Sequence, residues 1–294
     1  MLDVIKQIAK KNNLLETFYS AKSGFNGNRV FLSDNHVIKI FDESDYSFYK
    51  NEVLVYKNLE RDYISKLIDT GIISNTNYIL ITKIDAIPLY SIWDTLSDSI
   101  KENIIYQISN ILKDINKLPI ESNINFKEYL ITNFYNWYNK LNISEDLSKE
   151  ILSFFKLNID KFEDNQQNYI IYYDNHFDNF LYSDGKVYVI DFEDLRVGNL
   201  DYQLDIWNRM SKYPRLFSNE EDEKKIMDIN YHTLTKSIKK YYQEMFNFEN
   251  LEDRLKIYSL IYDIRIIVKY GLNEEQLRYR LNEELYGNII FSDK

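Results

Sequence analysis

The hydrophobic pattern mixes helical and strand periods up to about residue 85 and is largely helical beyond it. Residues 2–15 place apolar side chains at helical spacing and predict a short amphipathic helix. Residues 17–41 turn to short β-like runs, Arg29-Val-Phe-Leu and His36-Val-Ile-Lys-Ile-Phe41, separated by turn formers at Gly24-Phe-Asn-Gly27 and Ser33-Asp-Asn35. Residues 45–60 read as a helix with Tyr49, Val53, Tyr56 and Leu59 on one face. Strands follow near 66–73 and 78–82, the second behind an Asn-Thr-Asn turn. Three strands, a helix and two strands describe a small α+β lobe over 1–84 with an antiparallel sheet. Beyond Pro88 the texture is largely helical, with a helix over 98–117, two or three over 126–163 and several over 220–285. This predicts a larger helical lobe over 85–294, and 126–163 is the segment most suited to a task peculiar to this protein.

One feature interrupts the helical region. Asn179-Phe-Leu-Tyr-Ser-Asp-Gly-Lys-Val-Tyr-Val-Ile-Asp191 alternates about Asp184-Gly185, a strong short-range hairpin signal. With a two-residue turn, position 179 pairs with about 190, so Asn179 and Asp191 emerge roughly 5 Å apart. Asp174 stands five residues upstream in a polar loop. Converging amide and carboxylate oxygens suit a hard cation such as Mg²⁺. Asp, Asn and Gly also decorate ordinary turns, so the geometry alone leaves a plain hairpin open. A hydrolase site on Asp174, His176 and Asp178 lacks a second cluster to complete it. No EF-hand loop has its glycine.

Composition narrows the class. Thirty-six basic against 46 acidic residues give a net charge of −10, which argues against nucleic acid as the main partner. The absence of cysteine excludes disulfides and thiolate sites, and three histidines are few for imidazole metal centres. No run approaches the about 20 apolar residues that span a bilayer, and the N-terminus does not read as a signal peptide. A soluble cytoplasmic protein without a membrane partner is expected; the oligomeric state is left open.

Asp174-x₄-Asn179 followed by Ile190-Asp191-Phe-Glu resembles the active-site signature of the aminoglycoside phosphotransferase and choline kinase-like family. The resemblance implies a bilobal protein-kinase-like fold and an ATP:alcohol phosphotransferase. Asp174 would orient the acceptor hydroxyl as catalytic base, while Asn179 and Asp191 hold Mg²⁺ on ATP or GTP. His176 and Asp205 would brace the loop behind them. Tyr172 stands where the family usually has its first histidine, and Glu193 resembles choline kinase-like members.

Such a site needs a strand lysine and a helix glutamate. Lys39 lies inside an apolar strand, and Glu52 falls on the apolar stripe of the next helix. Each is costly there unless it meets the other. Gly24 and Gly27 precede them in a loop that would let backbone N–H groups approach phosphates. Lys83 and Ile84 would form a hinge whose backbone meets adenine. No Walker G-x-x-x-x-G-K-[ST] is present.

The acidic set Asp178, Glu193, Asp194 and Asp201 suggests a small cationic acceptor, either an amino sugar or a quaternary ammonium. Tyr202, Trp207, Trp137 and Tyr138 supply candidate aromatic faces for the latter. A solvated acidic surface and ordinary core aromatics explain the same residues. Two other readings stand beside the small-molecule kinase: an inactive nucleotide-binding module, and a kinase acting on a macromolecule.

Overall fold

The computed structural model describes residues 2–21, 29–121, 123–163, 166–218 and 220–281. In chain order its principal elements are α1 (Leu2–Lys11), β1 (Tyr19–Ser20), β2 (Val30–Leu32), β3 (His36–Phe41), α2 (Tyr46–Asn58), β4 (Leu67–Ile73), β5 (Thr76–Thr82), β6 (Ile87–Pro88), α3 (Leu89–Ile92) and α4 (Asp98–Asn116). They continue with α5 (Phe126–Tyr138), α6 (Glu145–Ile159), β7 (Tyr169–Tyr172), β8 (Phe180–Ser183), β9 (Lys186–Val189), β10 (Leu195–Gly198), α7 (Leu204–Lys212), α8 (Glu220–Glu223), α9 (Leu234–Tyr241), α10 (Leu251–Tyr270) and α11 (Glu274–Leu281). Two compact units emerge. The first is Met1–Leu118, Asp174–Leu195 and Ser218–Lys225; the second is Pro119–Tyr173, Arg196–Phe217 and Ile226–Lys294. Helix α4 and the hairpin β8–β9 fall in the first unit.

The first unit is built on an antiparallel five-stranded sheet in the order β1-β2-β3-β5-β4. Side chains alternate across β3, so Ile38 and Ile40 share one face. There they join Phe31, Tyr78 and Leu80 against Ile5 and Ile8 of α1. Lys39 therefore projects to the opposite face, the one α2 covers. Helix α1 ends before Asn13, whose φ of 56° is the left-handed conformation common past a helix C-terminus. Strand β5 begins earlier than the pattern suggested. Ser74 and Asn75 (φ 50° and 62°) form the tight turn, which frees Thr76 and Asn77 for pairing with β4. On α2 the buried stripe is Glu52, Val55, Tyr56 and Leu59; Val55 takes the place expected of Val53.

The hairpin forms in the predicted register, with Phe180 opposite Val189 and Ser183 opposite Lys186. Asp184 (φ 50°) and Gly185 (φ 82°) both take left-handed backbone, as a type I′ turn demands. Gln107 of α4 braces it by donating to the Gly185 carbonyl (2.9 Å) and accepting from the Val187 N–H (2.9 Å). The Val189 N–H reaches the Tyr63 carbonyl at 3.0 Å. Strand β6 pairs with β8 on the other side.

The second unit gathers α5, α6 and α7 about α10. Phe134 and Phe155 stack at 3.7 Å between α5 and α6. Two buried arginines tie the unit together. Arg254 meets Asp201 (Nη2–Oδ1 2.9 Å) and Asn199 (2.9 Å), and Arg209 forks onto both oxygens of Asp263 at 3.0 Å. Strands β7 and β10 pair. At Gly198 a Cβ would lie 2.5 Å from the Phe126 ring, so this close approach needs glycine. Among the described residues no helix is long and apolar enough to cross a membrane.

Candidate active site

The loop 174–179 joins β7 to the hairpin, and its centre is anchored by a ring. Phe177 is fully buried against Trp93 (4.6 Å) and Tyr90 (5.5 Å), and its carbonyl accepts from the Leu89 N–H at 3.2 Å. Burying that one side chain fixes the polar residues on either side. Asn179 donates its amide nitrogen to the Asp174 carbonyl (2.8 Å) and to Asp174 Oδ2 (3.2 Å), which turns its amide oxygen away from that carboxylate. The Asp178 N–H points at His176 Nδ1 (3.3 Å), so Nε2 is the nitrogen that donates to Asp174 Oδ1 at 3.3 Å. Asn179 and His176 together orient Asp174, whose side chain is still 42% exposed.

Asp191 leaves β9 with φ 64°, a left-handed conformation that few residues other than Gly, Asn and Asp adopt. The Asn179 carbonyl accepts from the Ile190 N–H (3.0 Å), so Asn179 and Asp191 flank the ends of paired strands. Lys39 lies between Glu52, which it contacts through Oε1, and Asp191 Oδ1 at 3.0 Å, with Glu193 Oε1 at 3.9 Å. Glu52 is fully buried while the Asp191 side chain is 42% exposed. The lysine thus has an inner carboxylate and an outer one that solutes reach.

Burial pulls the Lys39 ammonium down, but Asp191 and Glu52 outweigh it and hold its pKa well above the lysine range. Burial also pushes the Asp191 carboxyl up, and Lys39 overrides this, leaving it below the carboxylate range. Glu193 has one cation too few: burial and the Asp191 charge push it up to about 7 against the pull of Lys39. The carboxylates of Glu52, Asp191 and Glu193 lie within 4.8 Å of one another. Hard oxygens of Asp191 and Asn179 suit Mg²⁺, and the ammonium of Lys39 beside half-exposed Asp191 suits phosphate, so the donor set fits a magnesium nucleotide.

The remaining expectations divide. Asp178 lies in the loop, half-buried, with Oδ1 lacking a hydrogen-bond partner among the described residues. Burial, reinforced by Asp222 and Asp174 and opposed by His176, pushes it up to about 6. Asp222 arrives on α8, held by the Ser91 hydroxyl at 2.8 Å. Asp194 lies with Glu193 in the turn before β10. Asp201, Tyr202 and Trp207, expected to face an acceptor, are instead buried inside the second unit, and Asp201 is committed to Arg254 and the Tyr258 hydroxyl, so none offers a surface to an acceptor.

Asp205 accepts from the Tyr173 hydroxyl (2.7 Å), Ser259 Oγ (2.7 Å) and Arg209 Nε (3.2 Å), all within the second unit. Tyr172 is buried on β7. The Lys83 N–H, expected at the hinge with Ile84, is spent on the Asn35 carbonyl (2.7 Å). Gly24 and Gly27 lie outside the described residues. Asn51 was not foreseen. From α2 it donates to the Glu193 carbonyl at 2.7 Å and the Leu195 carbonyl at 3.3 Å, and its sequence position beside Glu52 carries no signal of this.

A lysine–glutamate pair under an antiparallel sheet, with a hairpin that carries Asn179 and Asp191, belongs to the α+β protein-kinase-like fold. Solved structures agree. APH(2'')-IIa in its gentamicin complex is 16% identical with a TM-score of 0.68, over 97% of this chain and 98% of that one. The ADP-bound aminoglycoside phosphotransferase APH(2'')-Ib is 18% identical with a TM-score of 0.65, over 96% of each chain. A choline/ethanolamine kinase family protein from Mesorhizobium loti is 10% identical with a TM-score of 0.55, over 90% of this chain and 85% of that one. The chain belongs to the phosphotransferase enzyme family, whose model matches residues 21–216. No curated protein matches it.

Proposed function

We propose that the protein is an ATP- or GTP-dependent O-phosphotransferase that moves the γ-phosphate to a hydroxyl of a small cationic molecule. The observation that carries this reading is Lys39, held by buried Glu52 and facing half-exposed Asp191 in the same compact unit as Asp174 and Asn179. A bound magnesium nucleotide would supply the phosphoryl group and the divalent charge that offsets it. Lys39 would neutralise phosphate oxygens, with Glu52 keeping the ammonium extended. Asn179 and Asp191 would hold the metal. Asp174, oriented by Asn179 and His176, would accept the proton of the attacking hydroxyl.

A cationic acceptor is supported by Asp178, which lies near Asp174 and has a buried oxygen without a donor among the described residues. An ammonium group placed there would stabilise the carboxylate that burial now disfavours. The net charge of −10 favours approach of a cation. Relatives by fold bind gentamicin and streptomycin in their solved complexes, which makes amino sugars the first class to try.

The test is an ADP-release screen across aminoglycosides, choline, ethanolamine, thiamine and neutral sugars, with Asp174→Asn as the blank. Turnover with a cationic alcohol, lost in the blank, is the expected result. Turnover confined to neutral sugars would remove the cationic acceptor and keep the phosphotransferase. Failure of Mg·ATP and Mg·GTP to shift the melting temperature would overturn the reading.

A further inference from the structure

Two consecutive residues of α2 grip the turn that follows Asp191. Glu52 Oε1 accepts the Phe192 N–H at 3.0 Å. Asn51 spends its amide nitrogen on the carbonyls of Glu193 (2.7 Å) and Leu195 (3.3 Å). An amide nitrogen has two hydrogens, and here two carbonyls receive them. The Tyr56 ring, one turn further along α2, meets Phe192 edge-on at 5.5 Å. The turn needs this grip. Asp191 is held at φ 64°, and residues 193–194 lie in a turn ahead of β10. A non-glycine residue keeps such a conformation only where its surroundings over-determine it. Asparagine is also a poor choice inside a helix on propensity alone, which points to a role outside α2 itself.

We propose that Asn51 is a positioning residue: by pinning the carbonyls of Glu193 and Leu195 to α2, it holds the Asp191 carboxylate where a divalent cation meets it. Lys39 and Asp191 are then set by one helix, the first through Glu52 and the second through Asn51. This role rests on the magnesium-nucleotide reading above.

The test compares Asn51→Ala and the near-isosteric Asn51→Asp with Asn58→Ala, a control on the same helix whose side chain bonds back to the Leu54 carbonyl. Binding of the non-hydrolysable nucleotide AMP-PNP is measured by calorimetry, once with Mg²⁺ and once in EDTA. Both Asn51 variants are expected to weaken Mg·AMP-PNP by about tenfold or more, as loss of two backbone-directed hydrogen bonds implies. Affinity in EDTA should stay within about twofold, and the control should match the wild type in both.

Hydrogen exchange of the unliganded protein supplies a readout that needs no nucleotide. Amides 192–196 should exchange faster in Asn51→Ala than in the wild type or the control. Unchanged Mg·AMP-PNP affinity in a folded variant overturns the proposal. So does an equal loss with and without metal, which would make Asn51 a general strut. Wild-type protein that binds AMP-PNP under neither condition would sink the kinase reading, and the metal role of Asn51 with it. Unchanged exchange would independently remove the grip on the turn.

Discussion

Removing the charge of Lys39 should cost far more than removing that of Glu52, and the difference should depend on pH. With an effective dielectric of about 20, the 3.0 Å contact to Asp191 is worth roughly 5–6 kcal/mol in gross attraction and the 3.9 Å contact to Glu193 roughly 4. Solvent screening of half-exposed Asp191 and the desolvation of the ammonium take back much of both. Lys39→Met leaves Glu52 buried without its cation, so a net loss of about 3–5 kcal/mol is expected at pH 8. Glu52→Gln leaves Lys39 with two carboxylates, and the glutamine oxygen still accepts from the Phe192 N–H. Its cost should be about 1–2 kcal/mol.

The pH sign follows from proton binding. Without Lys39, the three carboxylates titrate above their unfolded values, so the folded variant binds more protons than its unfolded chain. Its stability therefore falls as pH rises from the ordinary carboxylate range through about 7, where Glu193 already lies in the wild type. The deficit of Lys39→Met should be smaller at pH 5 than at pH 8. Urea unfolding followed by tryptophan fluorescence at both pH values measures it. Equal losses at the two pH values, or a Glu52→Gln cost matching that of Lys39→Met, would refute the account of this cluster.

Three further outcomes are expected. Asp174→Asn should lower acceptor-dependent ADP release by about 100-fold or more and leave the thermal shift on magnesium nucleotide in place. Asp178 titrates at about 6, so the native protein binds its proton more readily than the unfolded chain and loses stability as pH rises from about 4 through about 6. Asp178→Asn should therefore be the more stable protein above pH 7, by about 1–2 kcal/mol in urea, with the advantage gone below about pH 4. Gly198→Ala must move the Phe126 ring, and a loss of about 1–3 kcal/mol in unfolding free energy is expected.

The parts of the fold written in local chemistry were readable from the chain. Asp184-Gly185 announces its turn because the two left-handed positions accept few other residues. Lys39 and Glu52 stand out because each breaks an apolar pattern, and a charge in such a place needs a partner. What stayed hidden depends on residues far apart in sequence. Asp201 looked available to a cation because it follows the signature closely; its partner, Arg254, lies 53 residues on, and nothing local marks the pair. Asn51 and Gln107 are polar residues on helices, where solvent is the ordinary partner, so neither pattern nor propensity distinguishes their backbone contacts. The stripe on α2 slid from Val53 to Val55 because Glu52, a charge within the apolar pattern, is itself a buried member of it.

The bracing of β9 bears on how the protein behaves among its own copies. This strand is the outer member of its small sheet, a position from which an unfilled row of donors would template growth by another chain. Gln107 takes the Val187 donor and the Tyr63 carbonyl takes that of Val189, so the border is already closed from within the same unit. A hairpin that carries Asn179 and Asp191 at its ends can then stay short without inviting strand-to-strand association, and opening this border by mutation is where an aggregating variant would be found.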